Sequence, residues 1–137
     1  MAVADRAGLP IGVSIASASP NEVTLVDAAL DALLTEDTPA HLIGDKAYDS
    51  DALDARLRHE RRIEMIAPHR RRRRRARTQD GRALRRYRRR WKIERLFAWL
   101  HNFRRLVTRY ERHAGNFLAF IHLGCIMILL RQYPFMR

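Results

Sequence analysis

The sequence predicts a single α/β domain in which strands and helices alternate along the chain. Three observations predict it: the chain has 137 residues, 47% of them are hydrophobic, and the period of the hydrophobic positions switches between two and about 3.6 residues. This length is enough for one compact domain and too short for two. The apolar fraction is large enough to build a core, which argues against a disordered chain.

The N-terminal part of the chain predicts a β-hairpin followed by a helix. Residues 1–4 and 9–16 favour extended structure, and residues 5–8 between them have the composition of a turn. A capping-box pattern at residues 19–22 predicts a helix that continues to residue 34. Because the chain begins directly in a strand, we expect that it lacks a part of the domain that would precede the hairpin.

The middle of the chain predicts two more strands around a second helix. Residues 41–44 form a short apolar strand that ends at Asp45, residues 51–59 a helix, and residues 62–67 an alternating strand. An uninterrupted run of arginines follows: Arg70, Arg71, Arg72, Arg73, Arg74 and Arg75. Such a block of like charges does not fold alone and usually contacts another molecule, so we interpret residues 69–81 as an arginine-rich connector.

The C-terminal part of the chain predicts two long helices. Between residues 82 and 112, apolar side chains recur at spacings of three and four. These side chains are Leu96, Leu100, Phe103, Val107 and Tyr110. The last helix, predicted over residues 117–132, is apolar on nearly all sides and is expected to lie in the interior. Its apolar run is too short to span a bilayer, so we expect no membrane partner. We therefore predict one domain with three parts: the strand and helix region of residues 1–68, the arginine-rich connector of residues 69–81 and the helical region of residues 82–133.

Charge is distributed unevenly along this chain, whose net charge is +12. Residues 1–60 hold 11 of the 15 acids, whereas residues 61–137 hold 23 of the 27 bases. This predicts a polyanionic partner, of which nucleic acid is the commonest, and an acidic part that can hold cations. The alternative interpretation is a soluble domain with a basic tail. Cys125 is the only cysteine, which excludes a disulfide framework and fits a reducing cytosol.

Asp45 is the first candidate for chemistry. It directly follows a short apolar strand, and residues at strand ends in open α/β sheets project into the crevice where ligands bind. Aspartate is also common as a helix or turn cap, and its position alone favours that structural role.

Glu94 is the second candidate, because it is an isolated acid among many arginines. Helical geometry would place Tyr87, Arg90, Glu94 and His101 on one face, so that a phenol, a guanidinium, a carboxylate and an imidazole share a stripe. The alternative is an ordinary Arg–Glu pair, four residues apart, on a solvated face.

Two blocks around these acids resemble those of a known family. GDKAYDSDAL, residues 44–53, resembles the block around the second catalytic Asp in DDE transposases of insertion-sequence families four and five. YRRRWKIERLFAWLHNFRRLVTRYE, residues 87–111, resembles their signature around the catalytic Glu. Three of its positions match in type and spacing, namely Tyr87, Arg90 and Glu94.

The resemblance covers essentially the whole chain, with one departure in the second block. Residues 1–25 and 116–131 are also similar to segments of the family. The Lys of the family signature is His101 in this chain, which lacks a permanent charge. Either block alone is a weak indication, whereas the combination of the two is specific.

The resemblance implies an RNase H-like fold in which three acids hold two divalent ions, Mg²⁺ or Mn²⁺. Asp45 would be the second acid and Glu94 the third, because carboxylate oxygens suit these ions. Arg90, Tyr87 and His101 would bind phosphate groups, and we expect the six arginines to contact phosphates without reading bases. The implied reaction is metal-dependent cleavage of DNA at transposon ends, followed by strand transfer to a target.

The first acid of the family lies upstream of the hairpin. We therefore expect an incomplete RNase H-like fold that lacks its first strand and is inactive alone. The partners implied are DNA, an upstream transposase segment or full-length transposase, and further copies of the chain, in the cytoplasm at the nucleoid. Two alternatives remain: a non-catalytic, basic nucleic-acid-binding remnant that modulates full-length transposase, and a nuclease that cuts without joining.

Overall fold

The computed structural model describes residues 1–78 and 81–132, and within them the predicted mixture of strands and helices is confirmed. The strands are β1 (Ala2–Ala4), β2 (Pro10–Val13), β3 (His41–Ile43) and β4 (Glu64–Ile66). The α-helices are α1 (Val26–Asp31), α2 (Asp51–Arg56), α3 (Gly81–Tyr87), α4 (Trp91–Leu100), α5 (Arg104–Val107) and α6 (Ala114–Leu130). Gln79 and Asp80, in the predicted connector, and Tyr133, at the end of the predicted helical part, lie outside the described residues.

Two compact units make up the described chain. Unit 1 contains Met1–Pro20, Leu25–Leu34 and the chain from Lys92 onwards. Unit 2 contains Asn21–Thr24 and Thr35–Trp91. Each unit holds one two-stranded sheet, formed by β1 and β2 in unit 1 and by β3 and β4 in unit 2.

The sheet of unit 1 is the predicted hairpin. β1 and β2 are antiparallel, with Ala2 opposite Val13. Asp5 closes the turn between them, because its carbonyl oxygen accepts from the Gly8 amide at 3.0 Å and its carboxylate accepts from the Leu9 amide at 2.8 Å. Gly8 has a φ of 87°, in the left-handed region that favours glycine. The turn composition seen in the sequence thus closes the hairpin.

The first helix is shorter than predicted. It begins as a 3₁₀ turn over Glu22–Leu25, where the Asn21 side chain accepts from the Val23 amide at 3.2 Å. It then continues as α1 and ends at Asp31 rather than at residue 34. The reason is tertiary, because the Leu34 amide donates to the Ile11 carbonyl at 2.8 Å and pulls the chain out of the helix onto the hairpin.

The core of unit 1 lies between the hairpin and the C-terminal helices. Its buried members are Val13, Leu96, Leu100, Cys125 and Ile128. Gly124 in α6 allows a close approach, since a Cβ there would lie 3.1–3.4 Å from side-chain atoms of Leu106, Leu100 and Phe103. α4 and α6 therefore supply four of the five buried side chains of this core, namely Leu96, Leu100, Cys125 and Ile128.

The prediction of one continuous helix from residue 82 to residue 112 is wrong. A 3₁₀ turn at Arg88–Arg90 separates α3 from α4, and α4 ends at Leu100. Phe103 is extended, with φ −92° and ψ 109°, and α5 then covers only Arg104–Val107. After the break, Phe103 and Leu106 pack against the core of unit 1, and Val107, which the periodicity placed on the apolar face, is exposed.

The prediction that the last helix is buried on all sides is also wrong. α6 buries Gly124, Cys125 and Ile128. Its opposite side carries four exposed apolar side chains, namely Leu123, Ile126, Met127 and Leu130. Within the part of the chain that the structure describes, no helix combines the length and apolarity needed to cross a membrane.

Unit 2 is built on a β–α–β element. β3 and β4 are parallel, with Leu42 opposite Met65, and α2 provides the crossover that parallel strands require. Ser50 caps α2 by accepting from the Leu53 amide, and a π-helical turn, Leu57–Arg61, extends the helix. The strands and helix predicted between residues 41 and 67 are thus confirmed. Their buried side chains are Leu53, Leu57, Ile63, Met65, Ile66 and Ala67.

Candidate functional site

Asp45 lies in unit 2, where β3 has just ended. It caps the 3₁₀ turn Lys46–Tyr48, since one carboxylate oxygen, Oδ1, accepts from the Ala47 amide at 2.7 Å. The residue is exposed. The structural role left open by the sequence is therefore present, and it fixes the orientation of a carboxylate that faces solvent.

Gly44 sets the position of Asp45 through close packing. Its amide donates to the Ile66 carbonyl at 3.0 Å, which continues the β3–β4 pairing by one residue. A Cβ at this position would lie 2.5 Å from the Met65 methyl carbon and 2.7 Å from the Tyr48 ring. Only glycine fits this space without displacement of its neighbours.

Tyr48 borders the same turn and is half-buried. Burial raises the pKa of the Tyr48 phenol, and the negative charges of Asp45 and Glu22 raise it further. The phenol therefore stays protonated at neutral pH and can donate a hydrogen bond.

The arginine run lies in the same unit and is folded against the chain by some of its members. The Arg70 guanidinium donates to the carbonyls of Lys46 at 3.1 Å and Ala47 at 2.8 Å. Arg73 pairs with Asp49 at 2.8 Å and also with Asp51. Arg75 reaches Asp51 at 3.2 Å but remains 79% exposed. The other members, Arg71, Arg72 and Arg74, are exposed.

Tyr87 and Arg90 also belong to unit 2. Tyr87 ends α3, and Arg90 ends the 3₁₀ turn that follows. The Arg90 guanidinium lies over the Tyr87 ring, 5.6 Å from its centre, where the ring face attracts a cation. The structure thus brings these two predicted phosphate-binding residues together.

Glu94 lies in unit 1, in the first turn of α4, and is exposed. Its neighbours along the chain hold the hairpin turn: Lys92 donates to the Arg6 carbonyl, and Arg95 donates to the Ala7 carbonyl at 2.6 Å. Arg95 also stacks over the Trp99 ring at 4.6 Å. The segment that carries Glu94 is therefore fixed to the hairpin by two cationic side chains.

His101 departs from the predicted stripe. α4 ends at Leu100, and His101 follows it in a turn, exposed. The 3₁₀ turn at Arg88–Arg90 has about three residues per turn, so the helical phase between Tyr87 and Glu94 also differs from that of a regular α-helix. The single face predicted from the sequence is thus interrupted at two places.

The described residues contain no group of three or more His, Cys, Asp or Glu side chains arranged to hold a metal ion. Asp45 belongs to unit 2 and Glu94 to unit 1. The pairing of these two acids around shared ions stays a prediction from the sequence.

Several structural partners of the site were not identified from the sequence. Asp49 accepts from the amide of Arg70 at 2.7 Å and from His69 at 2.8 Å, and Lys92 and Arg95 hold the hairpin turn. The one indication in the sequence was the acidic Asp49–Ser50–Asp51 stretch, because a run of arginines needs counter-charges when it folds. The acids of this stretch lie some twenty residues before the arginines that they bind, so the pairing leaves no periodic pattern in the sequence.

Comparison with known proteins identifies the family to which the sequence is similar. The family model for the transposase DDE domain matches residues 1–130, a range that includes Asp45 and Glu94. A protein of Burkholderia cepacia, named as a transposase for insertion sequence element IS402, is 36% identical over 134 residues. The match covers 92% of this chain and 59% of that protein, so the chain spans less than two thirds of that relative's length.

A second relative has a different coverage. A protein of Brucella ovis, named as a transposase for insertion sequence element IS6501, is 31% identical over 130 residues. This match covers 95% of each chain. No solved structure matches the chain significantly. Since the family model extends over nearly all of the sequence and two relatives agree with it, the chain belongs to the transposase DDE domain family.

Proposed function

We propose that this chain contributes to a transposase catalytic domain, which cuts DNA at the ends of an insertion sequence and joins it to a target. The observation that carries the proposal is the family match over residues 1–130. The assignment of Asp45 and Glu94 as two of its acids rests on the resemblance of residues 44–53 and 87–111 to the blocks of that family. The net charge of +12 supports DNA as the partner. The enzyme would act in the cytoplasm, at the nucleoid.

The donors at these two positions fit the divalent ions, Mg²⁺ or Mn²⁺, that the proposal requires. Both carboxylates are exposed, and Asp45 is held by one oxygen so that the other can be offered to a cation. When bound, two such ions would activate the attacking oxygen and stabilise the leaving oxygen at phosphorus. The role of this chain is to supply two carboxylates on fixed backbone.

Phosphate binding in the proposal falls to Arg90 and Tyr87. A guanidinium can hold a phosphate through two parallel hydrogen bonds, and the Tyr87 ring beneath Arg90 limits the directions in which it can point. His101 can contact the DNA backbone from the turn after α4. As a neutral imidazole it would contribute less than the Lys of the family signature.

The complete catalytic domain in this proposal has an RNase H-like sheet to which an upstream strand, carrying the first acid, is added. The open edges of the two-stranded sheets in the described chain are compatible with such an addition. The upstream strand would come from another transposase segment or from full-length transposase. Further copies of the chain would assemble on the two transposon ends.

The shared-ion hypothesis is testable on the 137-residue chain by NMR with Mn²⁺. Paramagnetic broadening should affect the amides around Asp45 and around Glu94 at the same Mn²⁺ concentration. Asp45→Asn should lower the Mn²⁺ affinity by about tenfold or more. The amides of both segments should then need a correspondingly higher Mn²⁺ concentration to broaden. The exposed Asp37 offers a matched control, since Asp37→Asn removes the same charge from a loop. Broadening of the two segments that responds independently to substitution would overturn the shared site.

A second candidate function is a non-catalytic, DNA-binding remnant that interferes with full-length transposase. The observation in its favour is the basic C-terminal half, with 23 of the 27 bases in residues 61–137. It is distinguished by adding the chain to full-length transposase. Inhibition that persists in the Asp45→Asn and Glu94→Gln variants supports the remnant, whereas dependence on these acids supports the catalytic proposal. Cleavage without joining would instead indicate a nuclease.

A further inference from the structure

Contacts within the chain divide residues 70–74 of the arginine run into two sets of side chains, whereas Arg75 both reaches Asp51 and remains 79% exposed. Arg70 and Arg73 donate to groups of the same chain, and the Arg73 side chain is only 11% exposed. Arg71 and Arg72, which lie between them in the sequence, and Arg74, which follows them, are exposed. A run that looks uniform in sequence is therefore not uniform in structure.

Asp49 is the centre of the network that holds the first set. Its side chain is only 5% exposed and accepts from the Arg73 guanidinium at 2.8 Å and from the Arg70 amide at 2.7 Å. Burial by itself would raise the pKa of Asp49, but the Arg70 amide, His69 and Arg73 outweigh it and hold the pKa below its ordinary value. Asp49 is thus ionised at neutral pH and binds both ends of the Arg70–Arg73 turn.

His69 closes the network from the other side. Its Nε2 accepts from the Thr78 amide at 3.2 Å, which leaves Nδ1 as the ring nitrogen that donates. That Nδ1–H donates to Asp49 Oδ1 at 2.8 Å. Residues 69 and 78 are therefore joined, and the arginines between them form a closed loop rather than a loose connector.

Arg70 links this loop to the candidate acid. Its guanidinium donates to the carbonyls of Lys46 and Ala47. These two residues form the turn that Asp45 caps, and the Ala47 amide is the donor to the Asp45 carboxylate. The loop and the acid are thus held in one arrangement by consecutive hydrogen bonds within unit 2.

We propose that Arg71, Arg72 and Arg74 form an edge that binds the sugar-phosphate backbone of duplex DNA, and that Arg70 and Arg73 are positioning residues that fix this edge relative to Asp45. The identification of the partner as DNA rests on the proposed function. The backbone of a closed loop loses little conformational freedom when its side chains bind phosphate, and the guanidinium group of arginine is suited to phosphate geometry. The contact is independent of base sequence, because phosphates carry no sequence information.

The experiment measures the salt dependence of DNA binding by the 137-residue chain, using a mixed-sequence duplex. Each phosphate contact contributes about 0.9 to the slope of log K against log salt concentration, so replacing Arg71, Arg72 and Arg74 by Ala should lower the slope by about 2 to 3. The matched control replaces three exposed arginines elsewhere, Arg58, Arg104 and Arg112, by Ala and removes the same total charge. An equal fall of the slope in both variants would overturn the proposed edge.

The positioning role has a separate readout. Arg70→Ala and Asp49→Asn should move the amide proton resonance of Ala47, because the turn that holds this amide against Asp45 is released. The triple variant of the exposed arginines should leave that resonance in place. A triple variant that moves it, or an Arg70→Ala variant that does not, would contradict the division of the run. Failure of the unmodified chain to bind DNA would instead count against the proposed function.

Discussion

Single residues explain how a carboxylate at the end of a three-residue strand is held in place. Gly44 passes between the Met65 methyl group and the Tyr48 ring, and Asp45 then turns to cap the following residues. The sequence predicted a strand ending at Asp45 and a role for this acid either as a ligand or as a cap. It did not predict the glycine's function, because the two neighbours that leave no room for a Cβ were not evident from the sequence.

Gly44→Ala should destabilise the protein. The added methyl group would lie within 2.7 Å of atoms in Met65 and Tyr48, and overpacking of this kind costs about 1–3 kcal/mol. Urea denaturation measures the change in the free energy of unfolding. Gly115 in the first turn of α6 is the control, since no atom lies within 4 Å of a Cβ there and Gly115→Ala should be neutral or stabilising by up to about 1 kcal/mol. Equal stabilities for the two variants would contradict this account of Gly44.

Asp54 is a second residue whose environment has a measurable effect, here on the pKa of its carboxyl group. Burial, followed by the charges of Asp51 and Asp49, raises the pKa of the Asp54 carboxyl to about 6. Its Oδ1 is buried and has no hydrogen-bond partner in the described chain. Between the ordinary pKa of 3.8 and about 6, the folded state holds a proton that the unfolded state has released. Stability from this group is therefore present at low pH and is lost as the pH rises through 6.

Asp54→Asn should accordingly stabilise the protein above the folded pKa and have little effect below the unfolded one. We expect a gain of about 1 kcal/mol near neutral pH, reduced from the full shift because the group is partly solvated. Denaturation of both proteins across the pH range measures it. Comparing variant with parent at each pH cancels the loss of stability that protonation of Asp49 and Asp51 causes in both. A gain that is constant with pH would show that ionisation is not its source.

At the scale of elements, short-range patterns predicted the hairpin and the β–α–β element, whereas long-range contacts set where the helices end. The bridge from Leu33 to Gly12 and the bond from Leu34 to Ile11 end the first helix early. Phe103 and Leu106 reach Gly124 only because the helix after Leu100 is interrupted. Helical periodicity in a sequence does not record these contacts, since they join residues far apart along the chain.

The exposed side of α6 should limit the solubility of the chain. Leu123 is 56% exposed and Met127 is 44% exposed, one helical turn apart. Replacing both by Lys should raise the soluble concentration and shift light scattering towards a monomer, with little change in melting temperature. Ile128→Lys, at a buried position on the same helix, should instead unfold unit 1. A lower melting temperature for the surface variant would show that this side of α6 is covered.

At the scale of the molecule, the uneven charge of the sequence becomes a local arrangement. The acidic N-terminal half supplies Asp49 and Asp51, and the basic half supplies Arg73 and Arg75, which pair with them. Part of the arginine run is therefore neutralised within the chain. The remaining positive charge is available to a partner. The net charge of the sequence therefore predicted nucleic acid binding, but the ion pairs that decide which arginines remain exposed were not evident from composition.

The 137-residue chain should not cut or join DNA alone. Under the proposed function, Asp45 and Glu94 supply two of the three acids of the triad, and losing one electrostatic contact in an active site costs about 100- to 1000-fold in rate. Incubation with DNA that contains insertion-sequence ends and Mg²⁺ measures this, and addition of full-length transposase with its own acids replaced tests for complementation. Strand transfer by the chain alone, at the level of a complete enzyme, would contradict the prediction that the chain is inactive alone.

The sequence by itself determined the α/β class, the hairpin, the two strands around the second helix, the family and the two candidate acids. These features depend on local periodicity, turn composition and short motifs, which are written in neighbouring residues. Only the tertiary structure decided where the helices end, which side of α6 is buried and which arginines are held by Asp49. Those outcomes depend on distances between groups that lie far apart in sequence, and folding brings them together only when the whole chain packs.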